Sequence, residues 1–268
     1  MDVRLLYIFS SIFVVPICLL LNTNHSRTIA YRFFRERVGY GCWRAAWATY
    51  VNHCLFSQVV IDRFAMFAGK QFKVDVVGYE NFLQLEAAGP GFLQLSSHIG
   101  CYEMAGYHLV ATKKRLNALV FGGEKATVMM GRERMFEDKN IRMIPVRDDM
   151  SHLFVINEAL ANNETVSMPA DRSVGSKKMV ELPFMGKKAK FGLGPFTVAT
   201  QRGLEVLAVN VMKTSSRGYT IYVTPLAYDH HISRKEQIHQ LAASYVKELE
   251  RMVRKYPEQW YNFYDFWK

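Results

Sequence analysis

Short apolar runs alternate with helix-like stretches along the chain from residue 78 onward. The apolar runs are typical of buried strands, and strands are predicted at 92–97, 117–122, 141–146 and 165–170. Helices are predicted between them, near 102–113, 126–137 and 149–162. Because strands that alternate with helices are joined by right-handed crossovers, the pattern predicts an α/β fold with a largely parallel central sheet flanked by helices.

The last third of the chain departs from this alternation. Residues 204–212 and 219–226 are predicted as two further strands that form a hairpin. A charged helix is predicted at about 233–255. No segment between residues 28 and 268 has the composition of a linker, so we interpret these residues as a single α/β domain with a helical N-terminal region.

The stretch at 180–195 precedes the predicted hairpin and combines apolar, basic and glycine-rich positions. We interpret it as a short strand, a basic turn and the start of a helix at Gly194 and Pro195. Proline is common in the first turn of a helix, so the Gly–Pro pair by itself needs no functional explanation.

The N-terminus carries an uncharged apolar run at residues 5–21. As an α-helix it would be about 25 Å long, slightly short of a bilayer core of about 30 Å. A signal peptide is the alternative, but Asp2 and Arg4 make a poor basic region and no small-residue cleavage site follows. We predict that residues 1–27 are a hydrophobic membrane-anchoring segment.

The next segment, residues 28–70, is predicted to be mostly helical with a break near Gly39 and Gly41. Arginines lie among the aromatic residues of the stretch 25–47, as is typical of a membrane–water interface. A buried helix with a solvated basic face is the alternative. We favour membrane attachment, with the arginines on the cytoplasmic face of the cell inner membrane. These arginines are Arg27, Arg32, Arg35, Arg37 and Arg44.

The chain is strongly basic, with a formal charge of +10 over 268 residues. This charge favours an anionic partner: nucleic acid, an anionic membrane or an acidic carrier protein. The aromatic residues lie mostly in apolar runs rather than between lysines, so a nucleic-acid partner is not predicted. The four cysteines, Cys18, Cys42, Cys54 and Cys101, contain no CxxC pair, which argues against a zinc site and favours a reducing compartment.

The candidate chemistry begins at "LSSHIGCYEM", where His98 follows a predicted strand and Glu103 comes five residues later. The carboxyl ends of strands are where open α/β sheets place their ligands. A neutral imidazole can take a proton from an attacking alcohol, and a carboxylate on its other nitrogen can orient it. By themselves, however, the two residues also fit a structural histidine near a chance glutamate.

A second candidate, "SMPADRSVG", places Asp171 and Arg172 after another predicted strand and therefore at the same edge of the sheet. Arginine binds phosphate or carboxylate through two parallel hydrogen bonds, so Arg172 could hold an anionic head group or phosphopantetheine. A surface turn with a local Asp–Arg pair is the alternative.

The order of these blocks resembles the lysophospholipid acyltransferase superfamily and, within it, the lipid A late (lauroyl/myristoyl) acyltransferases. The blocks are H-x4-E, "PADR", "LPFMGKKAKFGLGPFTVATQRG" and "YPEQW", and with the aromatic tail they cover residues 93–267. The resemblance implies that His98 is the general base, that Glu103 orients it, and that Asp171, Arg172 and Gly194 bind substrate. "PADR" is also similar to the "EGTR" block of glycerol-phosphate acyltransferases, whose arginine meets phosphate.

The resemblance implies a membrane-bound O-acyltransferase that uses no metal or cofactor. It would move a fatty acyl chain from acyl carrier protein or coenzyme A to a hydroxyl of a lipid acceptor. The resemblance implies an acceptor of bacterial lipid or lipid A-like biosynthesis; because the chain ends in "WYNFYDFWK" where lipid A enzymes usually have a basic tail, whether this acceptor is lipid A itself stays open. The alternatives are a thioesterase of the same fold and a non-enzymatic basic protein that binds anionic lipid.

Overall fold

The computed structural model describes residues 2–109, 113–121, 140–146, 149–172 and 178–267. Its centre is a seven-stranded sheet with the order β1-β9-β8-β2-β5-β3-β4. The strands are β1 (Lys73–Val77), β2 (Leu93–Ser96), β3 (Leu116–Phe121), β4 (Ile141–Val146), β5 (Thr165–Pro169), β8 (Val206–Ser215) and β9 (Gly218–Leu226). All neighbours pair in parallel except β8 and β9, which form an antiparallel hairpin. The predicted α/β class with a largely parallel sheet is confirmed.

Helices cover both faces of this sheet. They are α1 (Val3–Leu21), α2 (Ser26–Glu36), α3 (Cys42–Phe67), α4 (Tyr79–Ala87), α5 (Ala105–His108), α6 (Ser151–Ala161), α7 (Gly194–Gln201) and α8 (Arg234–Lys255). Side chains of β8 alternate between two apolar clusters. Val206 and Ala208 belong to the cluster that contains Leu249 of α8, whereas Leu207 and Val209 belong to the cluster that contains Met66 of α3. Helices on both faces explain why the strands of this sheet are apolar runs.

Three elements differ from the sequence-based prediction. Strand β1 and helix α4 were not predicted, because the charged residues of the half-exposed edge strand β1 interrupt its apolar pattern. The predicted basic turn is wrong: β7 (Lys187–Gly192) pairs with β6 (Met179–Phe184) in a separate hairpin. Buried and exposed residues alternate at the end of β7, as in a half-buried strand.

The helix predicted at 102–113 is shorter in the structure, where a 3-10 turn at Tyr102–Met104 leads into α5. The helix predicted at 126–137 lies outside the described residues. The helical region at 28–70 is confirmed, including its break, since α2 ends at Glu36 and α3 begins at Cys42. The helix that begins at Gly194 and the charged helix near 233–255 are confirmed as α7 and α8.

Helix α1 is long and apolar enough to cross a membrane. One of its faces packs along helix α3. Helix α1 contains a π-helical turn at Ser10–Val14. Pro16 cannot donate a backbone hydrogen bond to the preceding turn, and the carbonyl of Ser11 accepts a hydrogen bond from the hydroxyl of Tyr50 on α3 over 3.0 Å. The division of the chain at residue 27 stays a prediction.

Candidate active site

The carboxyl ends of the neighbouring strands β2 and β5 meet at one edge of the sheet. Ser96 of β2 is paired in register with Pro169 of β5. Each strand is followed two residues later by an ionisable side chain, His98 after Ser96 and Asp171 after Pro169. The parallel register therefore brings together two residues that are far apart in sequence.

Asp171 holds His98 with both carboxylate oxygens. The ring Nδ1 of His98 lies 2.8 Å from Oδ1 of Asp171, and the backbone N–H of His98 donates to Oδ2 over 2.8 Å. Because an ionised carboxylate only accepts hydrogen bonds, this contact assigns the ring proton to Nδ1 and leaves Nε2 as the basic nitrogen. The side chain of His98 is 22% exposed and that of Asp171 is 3% exposed. A buried acid thus orients a ring that solvent reaches.

The environment of Asp171 keeps it ionised. Burial raises the pKa of its carboxyl group, but the charge of His98, the two hydrogen bonds from His98 and the charge of Arg172 outweigh burial. The net result is a pKa below the ordinary value for aspartate. An ionised Asp171 is suited to stabilise the imidazolium that forms when His98 takes a proton.

Glu103 has a different position from the one that we predicted. Its Oε2 lies 3.2 Å from Nε of Arg63 on α3, in an ion pair whose side chains are 9% and 25% exposed. The orienting position on Nδ1 of His98 belongs to Asp171, so that geometric role of Glu103 is corrected. The physical reason is that strand β5 delivers its aspartate directly beside His98, whereas the turn after His98 directs Glu103 toward α3. Whether catalysis needs Glu103 stays a prediction.

The turn between His98 and Glu103 depends on a glycine. Gly100 has a φ of +63°, and a Cβ at this position would lie 1.9 Å from the backbone oxygen of Val211 on β8. The N–H of the next residue, Cys101, donates to that same oxygen over 2.8 Å. Any side chain at residue 100 would therefore push the loop away from β8.

The segment that follows α8 holds the same loop from the other side. The N–H of Gly100 donates to the carbonyl of Gln259 over 2.8 Å, and the N–H of Tyr261 donates to the carbonyl of His98 over 3.2 Å. Gln259 belongs to the "YPEQW" block, and Tyr261 follows it directly. From the sequence, this block had no role beyond its place in the order of the motifs. The structure assigns this block to the support of the His98 loop.

The predicted binding roles of Arg172 and Gly194 stay predictions. Arg172 is exposed next to Asp171, and its guanidinium carbon lies 5.8 Å from the centre of the Tyr264 ring. Gly194 is the exposed first residue of α7, and no described atom lies within 4 Å of the position where a Cβ would sit. Gly194 is therefore not explained by close packing among the described residues.

Two potential nucleophiles flank His98, and neither is activated. Burial, followed by the charge of Glu103, raises the pKa of the Cys101 thiol to about 12, so it is not a thiolate at neutral pH. The hydroxyl of Ser97 is buried and donates to Oδ1 of Asn210 over 2.9 Å. The arrangement favours a direct reaction with a substrate hydroxyl over an acyl-enzyme on either side chain.

A small cleft of about 60 Å³ lies beside this edge, between α2, β7 and the C-terminal tail, and its lining includes the acidic Glu36 and Asp265. Basic side chains of Arg32, Arg37 and Lys187 line it together with Tyr264, which also neighbours Arg172. Among the described residues, no group of three or more His, Cys, Asp or Glu side chains could hold a metal ion.

The model of the bacterial lipid A biosynthesis acyltransferase family matches residues 66–268. The match contains His98, Glu103 and Asp171 and excludes helices α1 and α2. It confirms the resemblance found in the order of the motifs. Among solved structures, the 1-acyl-sn-glycerophosphate (LPA) acyltransferase PlsC from Thermotoga maritima is similar at 16% identity and a TM-score of 0.41, over 91% of this chain and 98% of that chain. No curated protein sequence matches the chain.

Proposed function

The chain belongs to the bacterial lipid A biosynthesis acyltransferase family, and from this premise we propose that it is a membrane-attached O-acyltransferase. It moves a fatty acyl chain from a thioester to a hydroxyl group of a lipid acceptor. The observation that carries the proposal is the contact of Nδ1 of His98 with buried Asp171, which leaves Nε2 of an accessible ring for the reacting hydroxyl.

In the proposed reaction, Nε2 of His98 takes the proton of the acceptor hydroxyl while the oxygen attacks the thioester carbonyl carbon. The C–O bond forms and the C–S bond breaks. The departing thiolate then receives the proton from the imidazolium, which returns His98 to its neutral form. Asp171 stabilises the imidazolium during the interval and keeps the ring oriented. General-base help of this kind contributes roughly 10²–10⁴-fold in rate.

The proposed donor is acyl carrier protein or coenzyme A, since both present an acyl thioester attached to a phosphate-bearing group. Arg172 at the edge of the site is suited to bind such a phosphate through two hydrogen bonds. The formal charge of +10 supports attraction of an acidic carrier protein. A direct comparison of the two donors at low and high salt tests this part, because long-range attraction of a carrier protein is screened by salt.

The proposed attachment to the cytoplasmic face of the inner membrane rests on the outer face of α1. This face is apolar and more than half exposed at most positions, and two tryptophans of α3 are exposed as well. Its residues are Leu5, Ile8, Phe9, Ile12, Phe13, Ile17, Leu20, Leu21, Trp43 and Trp47. Resistance of the bound protein to a high-salt wash would support apolar insertion over purely electrostatic binding.

The acceptor is proposed to be a lipid with a free hydroxyl in bacterial lipid or lipid A-like biosynthesis. The rings of the aromatic tail are packed rather than exposed: Trp260 and Phe266 are buried, with ring centres 5.5 Å from that of Phe184 on β6. The tail therefore supplies core packing where lipid A enzymes usually have basic residues.

The decisive experiment incubates the purified protein with an acyl thioester and a bacterial lipid extract, followed by mass spectrometry. New acylated lipid in the wild type but not in His98→Ala supports the proposal. Free fatty acid without acylated lipid would favour the thioesterase, in which water replaces the acceptor. Binding to anionic vesicles with no product, unchanged in His98→Ala, would favour the non-enzymatic lipid-binding protein.

A further inference from the structure

Helix α3 carries two adjacent charged residues that reach two different parts of the domain. Asp62 is completely buried, and Arg63 is 25% exposed. Both lie on the side of α3 toward the sheet and the His98 loop. Neither residue contacts His98 or Asp171 within hydrogen-bond distance, and the proposed reaction does not use them.

The carboxylate of Asp62 accepts hydrogen bonds from side chains on three elements. Its Oδ1 accepts a hydrogen bond from the hydroxyl of Tyr7 on α1. Its Oδ2 accepts from the ammonium group of Lys213 on β8 and from the hydroxyl of Tyr219 on β9. Lys213 also donates to the hydroxyl of Tyr7 over 3.2 Å. The apolar N-terminal helix is thus joined to the central sheet through a buried polar group.

Lys213 connects this network to the His98 loop through its backbone. The side chain of Gln259 accepts a hydrogen bond from the N–H of Lys213 over 2.9 Å and donates one to its carbonyl over 2.8 Å. The backbone of the same Gln259 holds the N–H of Gly100, and Val211, two residues before Lys213, holds the N–H of Cys101. A displacement of Lys213 would therefore also displace the carbonyl groups of Gln259 and Val211, which accept the hydrogen bonds of the loop.

Arg63 supports the other end of the loop. Its ion pair with Glu103 fixes the middle residue of the helical segment Tyr102–Met104, which follows the turn. The two neighbouring residues of α3 therefore act on the loop at separate points, one through β8 and one directly.

We propose that Asp62 is a positioning residue through which the seating of α1 on α3 sets the geometry of the His98 loop, and that Arg63 supports the same loop directly through Glu103. Helix α1 then has a second role besides membrane attachment: the hydroxyl of Tyr7 completes the support on which catalysis depends. The catalytic part of this inference rests on the proposed acyl transfer. It differs from a purely anchoring role, in which α1 would affect only access to membrane-embedded acceptors.

Tyr7→Phe and Tyr50→Phe form a matched pair for the test. Each removes one hydroxyl that joins α1 to α3, but only Tyr7 reaches Asp62, whereas Tyr50 binds the carbonyl of Ser11. With a short-chain, detergent-soluble acceptor, we expect Tyr7→Phe to lower kcat about tenfold with KM unchanged, and Tyr50→Phe to leave kcat unchanged. Both variants should sediment with membranes like the wild type.

Hydrogen exchange at the amides of Gly100 and Cys101 provides a readout that does not depend on activity. We expect faster exchange in Tyr7→Phe and unchanged exchange in Tyr50→Phe. If the wild type transfers no acyl group, the proposed function fails, but exchange still decides the positioning role. Equal kcat values and equal exchange in the two variants would overturn the inference.

The paired replacement Asp62→Asn with Lys213→Met provides a second test that leaves no lone buried charge. We expect it to remain folded, to lose kcat at least as strongly as Tyr7→Phe, and to speed exchange at the same amides. A folded double variant with wild-type kcat and exchange would also overturn the inference.

Discussion

Two acid–base pairs in this protein use similar side chains for different purposes. In the first, Asp171 holds His98 at the sheet edge, where the imidazole is 22% exposed. In the second, Asp62 holds Lys213 inside the domain, where the side chains are 0% and 3% exposed, and two tyrosine hydroxyls complete the contacts. Each pair joins residues that are distant in sequence and lie on different elements.

The difference shows what chemistry requires beyond a charge pair. The first pair has a buried acid and an accessible base, so a substrate can deliver a proton to the ring while the acid stays fixed. The second pair is enclosed on all its described sides, and each partner is stabilised only while the other is present. The first pair is therefore expected to act on the rate directly, and the second is expected to determine stability and to act on the rate only through the His98 loop.

The largest effect is expected from His98→Ala, which tests whether the first pair determines rate. We expect kcat to fall roughly 10²–10⁴-fold because the general base is lost. The melting temperature should change little, since the backbone N–H of residue 98 can still bind Oδ2 of Asp171. A transfer assay and circular dichroism on the same preparation check both statements. The exposed His230, whose ring stacks on Tyr228, provides the control variant His230→Ala with unchanged activity.

Lys213→Met tests whether the second pair determines structure. We expect the free energy of unfolding to fall by about 3–5 kcal/mol, because Asp62 would be left buried without its cation. Denaturant titration measures this loss. The double replacement with Asp62→Asn should lose less than Lys213→Met alone. A single variant as stable as the wild type would contradict the structural role of this pair.

The variants Asp171→Asn and Glu103→Gln distinguish the roles of the two carboxylates near His98. We expect Asp171→Asn to lower kcat about a hundredfold, because the amide no longer fixes the proton on Nδ1. Glu103→Gln should lower kcat only about tenfold, because Glu103 acts on the loop through Arg63. Steady-state kinetics decides between them. A larger loss in Glu103→Gln would return the orienting role to Glu103.

Arg172→Ala tests whether the site edge binds an anion. We expect a loss of about 1.5–3 kcal/mol in binding, or roughly ten- to a hundredfold in kcat/KM, which Arg172→Lys does not restore because lysine lacks the planar fork. Thermal stability should stay normal. A lowered melting temperature in both Arg172→Ala and Asp171→Ala would instead indicate that Arg172 stabilises the turn after β5 through Asp171.

The smallest effect concerns stability at acid pH. Because the pKa of Asp171 is held below its ordinary value of 3.8, its carboxylate stabilises the fold above that pH. The stabilisation decreases as the pH falls from this value through the lower pKa of the folded state, since the unfolded chain binds more protons than the folded one in that range. Melting temperatures between pH 3 and 7 should therefore decline less steeply below about pH 4 in Asp171→Asn than in the wild type. Parallel curves would show that Asp171 does not contribute.

The sheet and the edge that carries the site could be predicted because each strand, and the side chain that follows it, is marked by residues adjacent in the sequence. Apolar runs mark β2 and β5, and His98 and Asp171 follow them directly. Strand β7 was missed because its lysines dominate the pattern and only the alternation with buried Ala189 and Phe191 marks it as a strand.

The pairing within the site was not predictable from spacing. His98 and Glu103 are close in sequence, which suggested that they act together, whereas the contact with Asp171 arises from the adjacency of β2 and β5 in the sheet. A signal for the second pair does exist in the sequence: Asp62 and Lys213 both lie in otherwise apolar segments, where a lone charge is costly. Nothing local indicates that they meet.

The supports of the His98 loop also constrain the order in which the protein matures on the ribosome. His98 is synthesised roughly 160 residues before Gln259 and Tyr261, whose backbones hold its loop. At about 5–20 residues per second, this interval lasts on the order of 10–30 s. During that time α1 has already emerged, while the loop still lacks its last backbone partners. The nascent chain can therefore reach a membrane before its active site is complete.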